Sequence, residues 1–290
     1  MIFTEARFLI FFGIAFFVYW ALKPNAARKI WLLGCSIVFY AAWDWRFLGL
    51  VLVTIVQTYI ATLLLSRTNR SGPRRAILAT SVSLALVTLG YFKYYNFFID
   101  SLSAIIPLGA FAKSIILPVG ISFYTFHALS YLIDTYRRKI DPTKNILDVS
   151  LYVLFFPQLV AGPIVRATDL LPQMQHARSF EAASARYFTV VFLIGYFKKA
   201  VISDGLAPLV DVFFANPGGF GVGDMLAAVF FYTVQIYCDF SGYTDMAIAI
   251  AGLLGYRLKP NFNHPYLASN LIDFWRRWHI SLSSWLRDYV

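Results

Sequence analysis

The residues best suited to chemistry lie between Asp273 and Val290, in the run Asp273-Phe-Trp-Arg-Arg-Trp-His279-Ile-Ser-Leu-Ser-Ser-Trp-Leu-Arg-Asp-Tyr-Val290. Elsewhere, charges sit between long apolar runs. Here Asp273, Arg276, Arg277 and His279 are interleaved with Trp275, Trp278 and Trp285. An imidazole near neutral pH can take a proton, and guanidinium groups can hold an anionic group in place. Two readings follow. The run is an amphipathic helix at a membrane interface, where Trp and Arg are common. Alternatively, His279 is a general base in a pocket, kept neutral by neighbouring cations. No Gly or Pro interrupts the run, so it reads as one helix. Trp275, Trp278, Leu282, Trp285 and Leu286 would then share a face, and Asp273 would reach Arg276 or Arg277.

A second constellation is Asp239-Phe-Ser241-Gly-Tyr-Thr-Asp245, placed between two apolar stretches, Met225 to Cys238 and Met246 to Leu258. Carboxylates at membrane depth are costly and usually face a cavity. Asp239, Ser241 and Asp245 are therefore candidate cavity-lining residues. The two carboxylates serve a proton or ion pathway or else order neighbouring arginines, and ordering is the favoured reading. His127 is a further cavity-lining candidate, although a satisfied core histidine is the simpler account. His264 precedes a proline and reads as a loop residue, and His176 reads as a solvated one. Cys35 and Cys238 lack any paired spacing, so two free core thiols are expected, with no metal site. No nucleotide, nicotinamide or serine-hydrolase motif is present.

The elements that position these groups follow from composition. The chain has 290 residues, 59% of them apolar, 18% aromatic and only 14% charged. A soluble domain carries about 25% charged residues. The chain therefore reads as a polytopic membrane protein, and its net charge of +10 is no nucleic-acid signal. A spanning helix needs about 20 apolar residues. Candidate spans are Phe8 to Leu22, Ile30 to Trp43, Phe47 to Leu65, Ile77 to Phe92 and Ile115 to Ile133, the last bent near Pro118.

Lys and Arg are unevenly divided among the connections. Eleven follow the first, third and fifth spans: Lys23, Arg28 and Lys29; Arg67, Arg70, Arg74 and Arg75; Arg137, Arg138, Lys139 and Lys144. Three follow the second and fourth: Arg46, Lys93 and Lys113. Positive charge is retained on the cytoplasmic side, so the N-terminus is expected outside. No cleavable signal peptide is expected.

After Asp148 the alternation fails. Leu151 to Val165 is broken by Pro157, Gly162 and Pro163. Tyr187 to Phe197 is too short to span alone, and Phe192 to Phe214 is interrupted by Lys198, Lys199, Asp204 and Pro208. Broken segments are tolerated at membrane depth only when buried in protein or lining a wet cavity. Re-entrant or tilted helices around a cavity are expected.

Four stretches resemble the membrane-bound O-acyltransferase family. They are Leu117-Pro-Val-Gly-Ile-Ser-Phe-Tyr-Thr-Phe126, Phe156-Pro-Gln-Leu-Val-Ala-Gly-Pro163, Gln235-Ile-Tyr-Cys-Asp-Phe-Ser-Gly-Tyr-Thr-Asp245 and Asp273-Phe-Trp-Arg-Arg-Trp-His-Ile-Ser-Leu-Ser283. The likeness is to the bacterial branch that O-acetylates exported polysaccharides such as alginate. It covers almost the whole chain, in order.

The resemblance implies an all-α polytopic fold, a ring of helices around a central funnel with re-entrant pieces, and residues 1–290 as one membrane-embedded domain. It implies transfer of an acyl group, here acetyl, from a cytoplasmic thioester (acetyl-CoA or an acyl-carrier protein) to hydroxyls of the polymer. No bound cofactor or metal is implied. Expected partners are membrane lipid, the acyl donor and periplasmic polysaccharide-acetylation proteins in a bacterial inner membrane. His279 matches the family's Trp-Arg-Arg-Trp-His histidine, with Asp273, Trp275, Arg276, Arg277 and Trp278 as binding residues. The family's second histidine, in a stretch resembling Gly-Leu-Trp-His-Gly, is not among these residues. The chain is therefore expected to be an N-terminal portion that is inactive by itself.

Rival readings are D-alanyl transfer to teichoic acid, a polysaccharide or lipid transporter using Asp239 and Asp245 for proton coupling, and a structural membrane subunit. Transporters often show repeated halves, and no repeat is evident.

Overall fold

The computed structural model describes residues 1–103, 105 and 114–290. Lys113, one of the charges counted above, lies outside the described residues. These residues form twelve α-helices and no strand. Among the described residues, three stretches are long and apolar enough to cross a membrane: Asn25–Arg67, Ser71–Ser103 and Val222–Leu253. The first is two helices, α2 (Asn25–Asp44) and α3 (Leu48–Arg67), separated by a tight turn at Trp45–Phe47. Asp44 enforces that turn by accepting from the Arg46 backbone N–H at 3.0 Å. The shorter apolar α1 (Ala6–Ala21) precedes them, and α4 is Ser71–Ser103. Large apolar side chains point outward from these helices, among them Phe17, Val53 and Val87, at 73%, 61% and 68% exposure. In water such surfaces would be a liability, whereas in lipid they are the solvated face. The protein is an all-α polytopic membrane protein.

Two compact units are present. One comprises Lys29–Val160 and Arg166–Gln175. In it α3 and α4 pack on α5 (Ile121–Tyr136), with α6 (Ile146–Leu154) and α7 (Ala167–Gln175) completing the core. The fifth span, read as Ile115 to Ile133, is corrected here. Residues 114–118 are not helical, and α5 starts only at Ile121. Pro118 does not bend a helix but lies ahead of it, since proline withholds a backbone donor. Gly120 caps α5 with φ +71°, and a Cβ there would run into the Leu159 carbonyl. Two of the family-like stretches therefore meet backbone to backbone, where only glycine fits.

Several basic residues counted for orientation serve as ties in the structure. The Arg74 guanidinium donates to the carbonyls of Leu65, Thr68 and Tyr136, holding the ends of α3 and α5 together. Lys29 is buried and pairs with Asp148 at 2.5 Å. Removing one partner leaves a lone charge in the core. Either Lys29→Met or Asp148→Leu is expected to cost about 3–5 kcal/mol, and the double replacement much less. Thermal unfolding of the three variants in detergent measures this.

The other unit comprises Met1–Arg28, Ala161–Val165 and His176–Val290. Its framework is α8 (Ala182–Tyr196), α9 (Asp204–Ala215) and α10 (Val222–Leu253). Two expectations are corrected. Lys198, Lys199 and Asp204 do not break the chain's path, because a π-helical segment, Phe197–Ser203, joins α8 to α9. The two apolar stretches around Asp239–Asp245 form one helix, α10. Gly242 does not end it; the missing side chain admits a neighbour instead. A Cβ on Gly242 would lie 2.7 Å from the Gly195 carbonyl oxygen, and one on Gly195 would lie 2.7 Å from that of Gly242. Small residues at crossings let helix backbones approach closely. Helix also fails between Leu154 and Ala167, as Pro157, Gly162 and Pro163 imply. Cys35 and Cys238 are free and buried.

Candidate active site around His279

The run from Asp273 is two helices, not one. α11 spans Leu271–Arg277 and α12 spans Ile280–Tyr289. Between them His279 adopts φ 44° and ψ 53°, the left-handed region. Side-chain carbon crowding against the carbonyl makes that region cost about 1–2 kcal/mol for a residue other than glycine. No Gly or Pro announces the break, so periodicity missed it. The starts and stops are local. Asn270 caps α11 by accepting from the Asp273 N–H at 2.8 Å. The Trp278 N–H closes α11 on the Phe274 carbonyl, and the His279 carbonyl opens α12 by accepting from Ser283 N–H.

The break dissolves the expected shared face. Trp275 is 57% and Leu286 46% exposed, while Trp285 is buried at 5%. Trp278 turns into an aromatic cluster, with Phe262 at 5.0 Å, Phe274 at 5.5 Å, Tyr266 at 6.1 Å and Tyr237 at 6.2 Å between ring centroids. His279 meets the Phe240 ring at 4.6 Å, edge to face. Its Nε2 is buried without a hydrogen-bond partner among the described residues, and the imidazole is not used as a helix cap. Burial pushes its pKa down to about 4. The imidazole is therefore neutral near pH 7, for a different reason than expected: desolvation rather than neighbouring cations.

Of the other expected binding residues, Asp273 pairs with Arg277 at 2.9 Å, which settles the choice between the two arginines. The Arg277 guanidinium holds the Asp273 carboxyl below the usual carboxylate range. Arg276 and Trp275 are exposed.

Asp239 and Asp245 order lysines rather than the expected arginines. Lys199 reaches Asp239 at 2.6 Å and Asp204 at 2.7 Å, and Lys198 reaches Asp245 at 2.7 Å. The π-helical segment brings this about, since its wider turn sets adjacent lysines against carboxylates on α10. Lys198 Nζ also stands 5.8 Å from the Tyr237 ring centroid, which links the ion pairs to the aromatic cluster. Ser241 is buried, with its hydroxyl oxygen unpartnered among the described residues. His127 belongs to the other compact unit, where it is buried with its ring 5.7 Å from that of Tyr152. The exposed His176 and the turn residue His264 stand as expected.

The model of the membrane-bound O-acyltransferase family matches residues 37–290. The chain belongs to this family. Among its relatives, a probable alginate O-acetylase of Azotobacter vinelandii is 42% identical over all of this chain and 59% of its own length. A peptidoglycan O-acetyltransferase of Helicobacter pylori is 33% identical over all of this chain and 61% of its own. A teichoic acid D-alanyltransferase of Bacillus subtilis is 29% identical over 59% of this chain and 44% of its own. The chain thus spans about three fifths of the length of the first two.

One participant escaped the sequence reading. Asn261, 1% exposed, accepts at its backbone carbonyl from the Ile280 N–H at 2.9 Å. Its side-chain Oδ1 accepts from the Ser281 N–H at 3.0 Å and from Ser281 Oγ at 2.8 Å. The signal lies in Lys259-Pro-Asn-Phe-Asn-His264-Pro265, a polar loop tied down by prolines.

Proposed function

We propose that the whole protein is an O-acyltransferase that moves an acyl group, here acetyl, from a cytoplasmic thioester to hydroxyls of an exported polysaccharide such as alginate. The observation that carries this reading is His279. It is a neutral imidazole with a buried nitrogen that has no hydrogen-bond partner among the described residues, set at a left-handed break inside the family-like Trp-Arg-Arg-Trp-His stretch. Similarity over all of this chain, and 59% of the relative's length, to a probable alginate O-acetylase supports the substrate class.

In the transfer, the acceptor hydroxyl oxygen attacks the thioester carbonyl carbon, the C–S bond breaks, and the hydroxyl proton passes to a base and on to the leaving thiolate. A hydroxyl is a poor nucleophile near neutral pH, so that base is essential. The family resemblance assigns it to a second histidine outside these 290 residues. His279 positions the acceptor hydroxyl or the thioester carbonyl, Trp275 and Trp278 contribute to substrate binding, and Arg276 and Arg277 meet anionic groups of donor or acceptor. Asp273 fixes Arg277. Exclusion of water around the transfer limits hydrolysis of the thioester. The donor is acetyl-CoA or an acyl-carrier protein, with no bound cofactor. Periplasmic acetylation proteins and lipid are the partners. Residues 1–290 act as a single membrane domain.

The location is a bacterial inner membrane with the N-terminus outside. A reporter cysteine near Arg70 is then expected to resist labelling from outside intact cells.

Mass spectrometry of the exported polymer with and without the gene tests the function. Loss of O-acetyl groups is expected. An unchanged polymer would end the proposal. D-alanyl transfer to teichoic acid is the second reading, favoured by the partial match to a D-alanyltransferase. It predicts loss of D-alanyl esters instead.

A further inference from the structure

We propose that Asn261 is a positioning residue that holds His279 in its left-handed conformation and thereby aims the imidazole. This rests on the reading of His279 as a site residue. A strained backbone persists only where its surroundings over-determine it. Here the constraint is visible on both sides of His279. Just after it, the Ile280 N–H and both donors of Ser281 are bound by Asn261, through its carbonyl and its Oδ1. Just before it, the Arg277 carbonyl accepts from the Asn263 N–H at 3.0 Å. The loop 261–263 therefore grips the chain at residues 277, 280 and 281, and His279 lies between the grips.

The clamp is itself anchored. Ser281 Oγ accepts from the Ile164 N–H at 3.0 Å, so the Asn261–Ser281 pair is tied to the segment that follows Pro163. Asn261 and Ser281 are 1% and 9% exposed, and water cannot readily replace these bonds. The Phe240 ring against the His279 imidazole then limits its rotation. Without Asn261 Oδ1 the two Ser281 donors lose their acceptor, and His279 is free to relax out of the left-handed region.

The test uses the full-length protein in detergent and in membranes. Glycine adopts the left-handed region without strain but costs unfolded-state entropy. His279→Gly is therefore expected to hold or raise Tm in the native background, where strain is relieved. In an Asn261→Leu background it is expected to lower Tm, because only the entropy cost is left. Equal Tm shifts in the two backgrounds would overturn the clamp.

Acyl transfer is measured well below each variant's Tm. Asn261→Leu is expected to lower kcat about a hundredfold, the scale of an ångström-sized misplacement, while Asn261→Asp, which keeps the acceptor, stays closer to the native rate. A native rate in Asn261→Leu would overturn the positioning role. If Tm coupling is seen but His279→Asn keeps full activity, the clamp stands and the catalytic reading of His279 falls.

Discussion

Replacing His279 with asparagine in the full-length protein is expected to lower acyl transfer by about 10²–10³-fold, the usual cost of losing one group that positions or polarises the reacting atoms. Asparagine is the informative replacement. It tolerates the left-handed backbone better than most residues, so the break between α11 and α12 is kept while the imidazole is lost. Alanine would change both at once. Release of acetyl from a labelled thioester donor, compared with acetyl content of the polymer, gives the rate. Expression and Tm close to native confirm that only chemistry has changed. Activity within about threefold of native would remove His279 from the mechanism, because loss of even one positioning contact exceeds that.

The same residue carries a pH signature. Its pKa is lowered in the folded protein from an ordinary 6.5 to about 4 by burial. The unfolded chain therefore binds the extra proton more readily between those values. Stability from this group is full above about pH 6.5 and is lost progressively as pH falls toward 4. His279→Asn is expected to flatten that part of the Tm-against-pH curve. An unchanged slope would mean that the imidazole is not desolvated in the folded protein.

The largest structural effect is expected at the α8–α10 crossing. A Cβ on Gly242 would stand 2.7 Å from the Gly195 carbonyl oxygen and 2.9 Å from the Lys199 N–H nitrogen. Both are backbone atoms and neither can swing aside. Gly242→Val should force the helices apart, costing about 3 kcal/mol or more, at the upper end of overpacking penalties. Separation of α8 from α10 would also pull Lys198 and Lys199 from Asp245 and Asp239, since the π-helical segment that carries both lysines continues directly from α8. The expected result is little folded protein in the membrane, read by fluorescence-detected size exclusion. Gly205→Val makes a suitable comparison, because a Cβ there meets nothing within 4 Å. Equal folded yields from both variants would show that the close approach is not needed.

Much of this protein was legible from one sequence. Five apolar runs and sparse charge announced a helical membrane protein, because hydrocarbon forces every backbone amide to be bonded within its own segment. Four stretches in order pointed to the acyltransferase family, and the broken helix between Leu154 and Ala167 was written in Pro157, Gly162 and Pro163. Each of these properties is local: hydropathy, proline chemistry and residue type act over a turn or two of chain.

What tertiary structure alone decided is non-local. The break at His279 has no Gly or Pro to mark it and depends on Asn261, eighteen residues earlier in the chain, supplying acceptors to residues 280 and 281. The partners of Asp239 and Asp245 depend on a π-helical turn at Phe197–Ser203 that rotates Lys198 and Lys199 toward α10. Glycine is required at position 120 because the Leu159 carbonyl, from a distant stretch, occupies the space a Cβ would need. Periodicity reports which faces of a helix are apolar. It cannot report which backbone from elsewhere arrives to hold a residue in a conformation that its own neighbours disfavour.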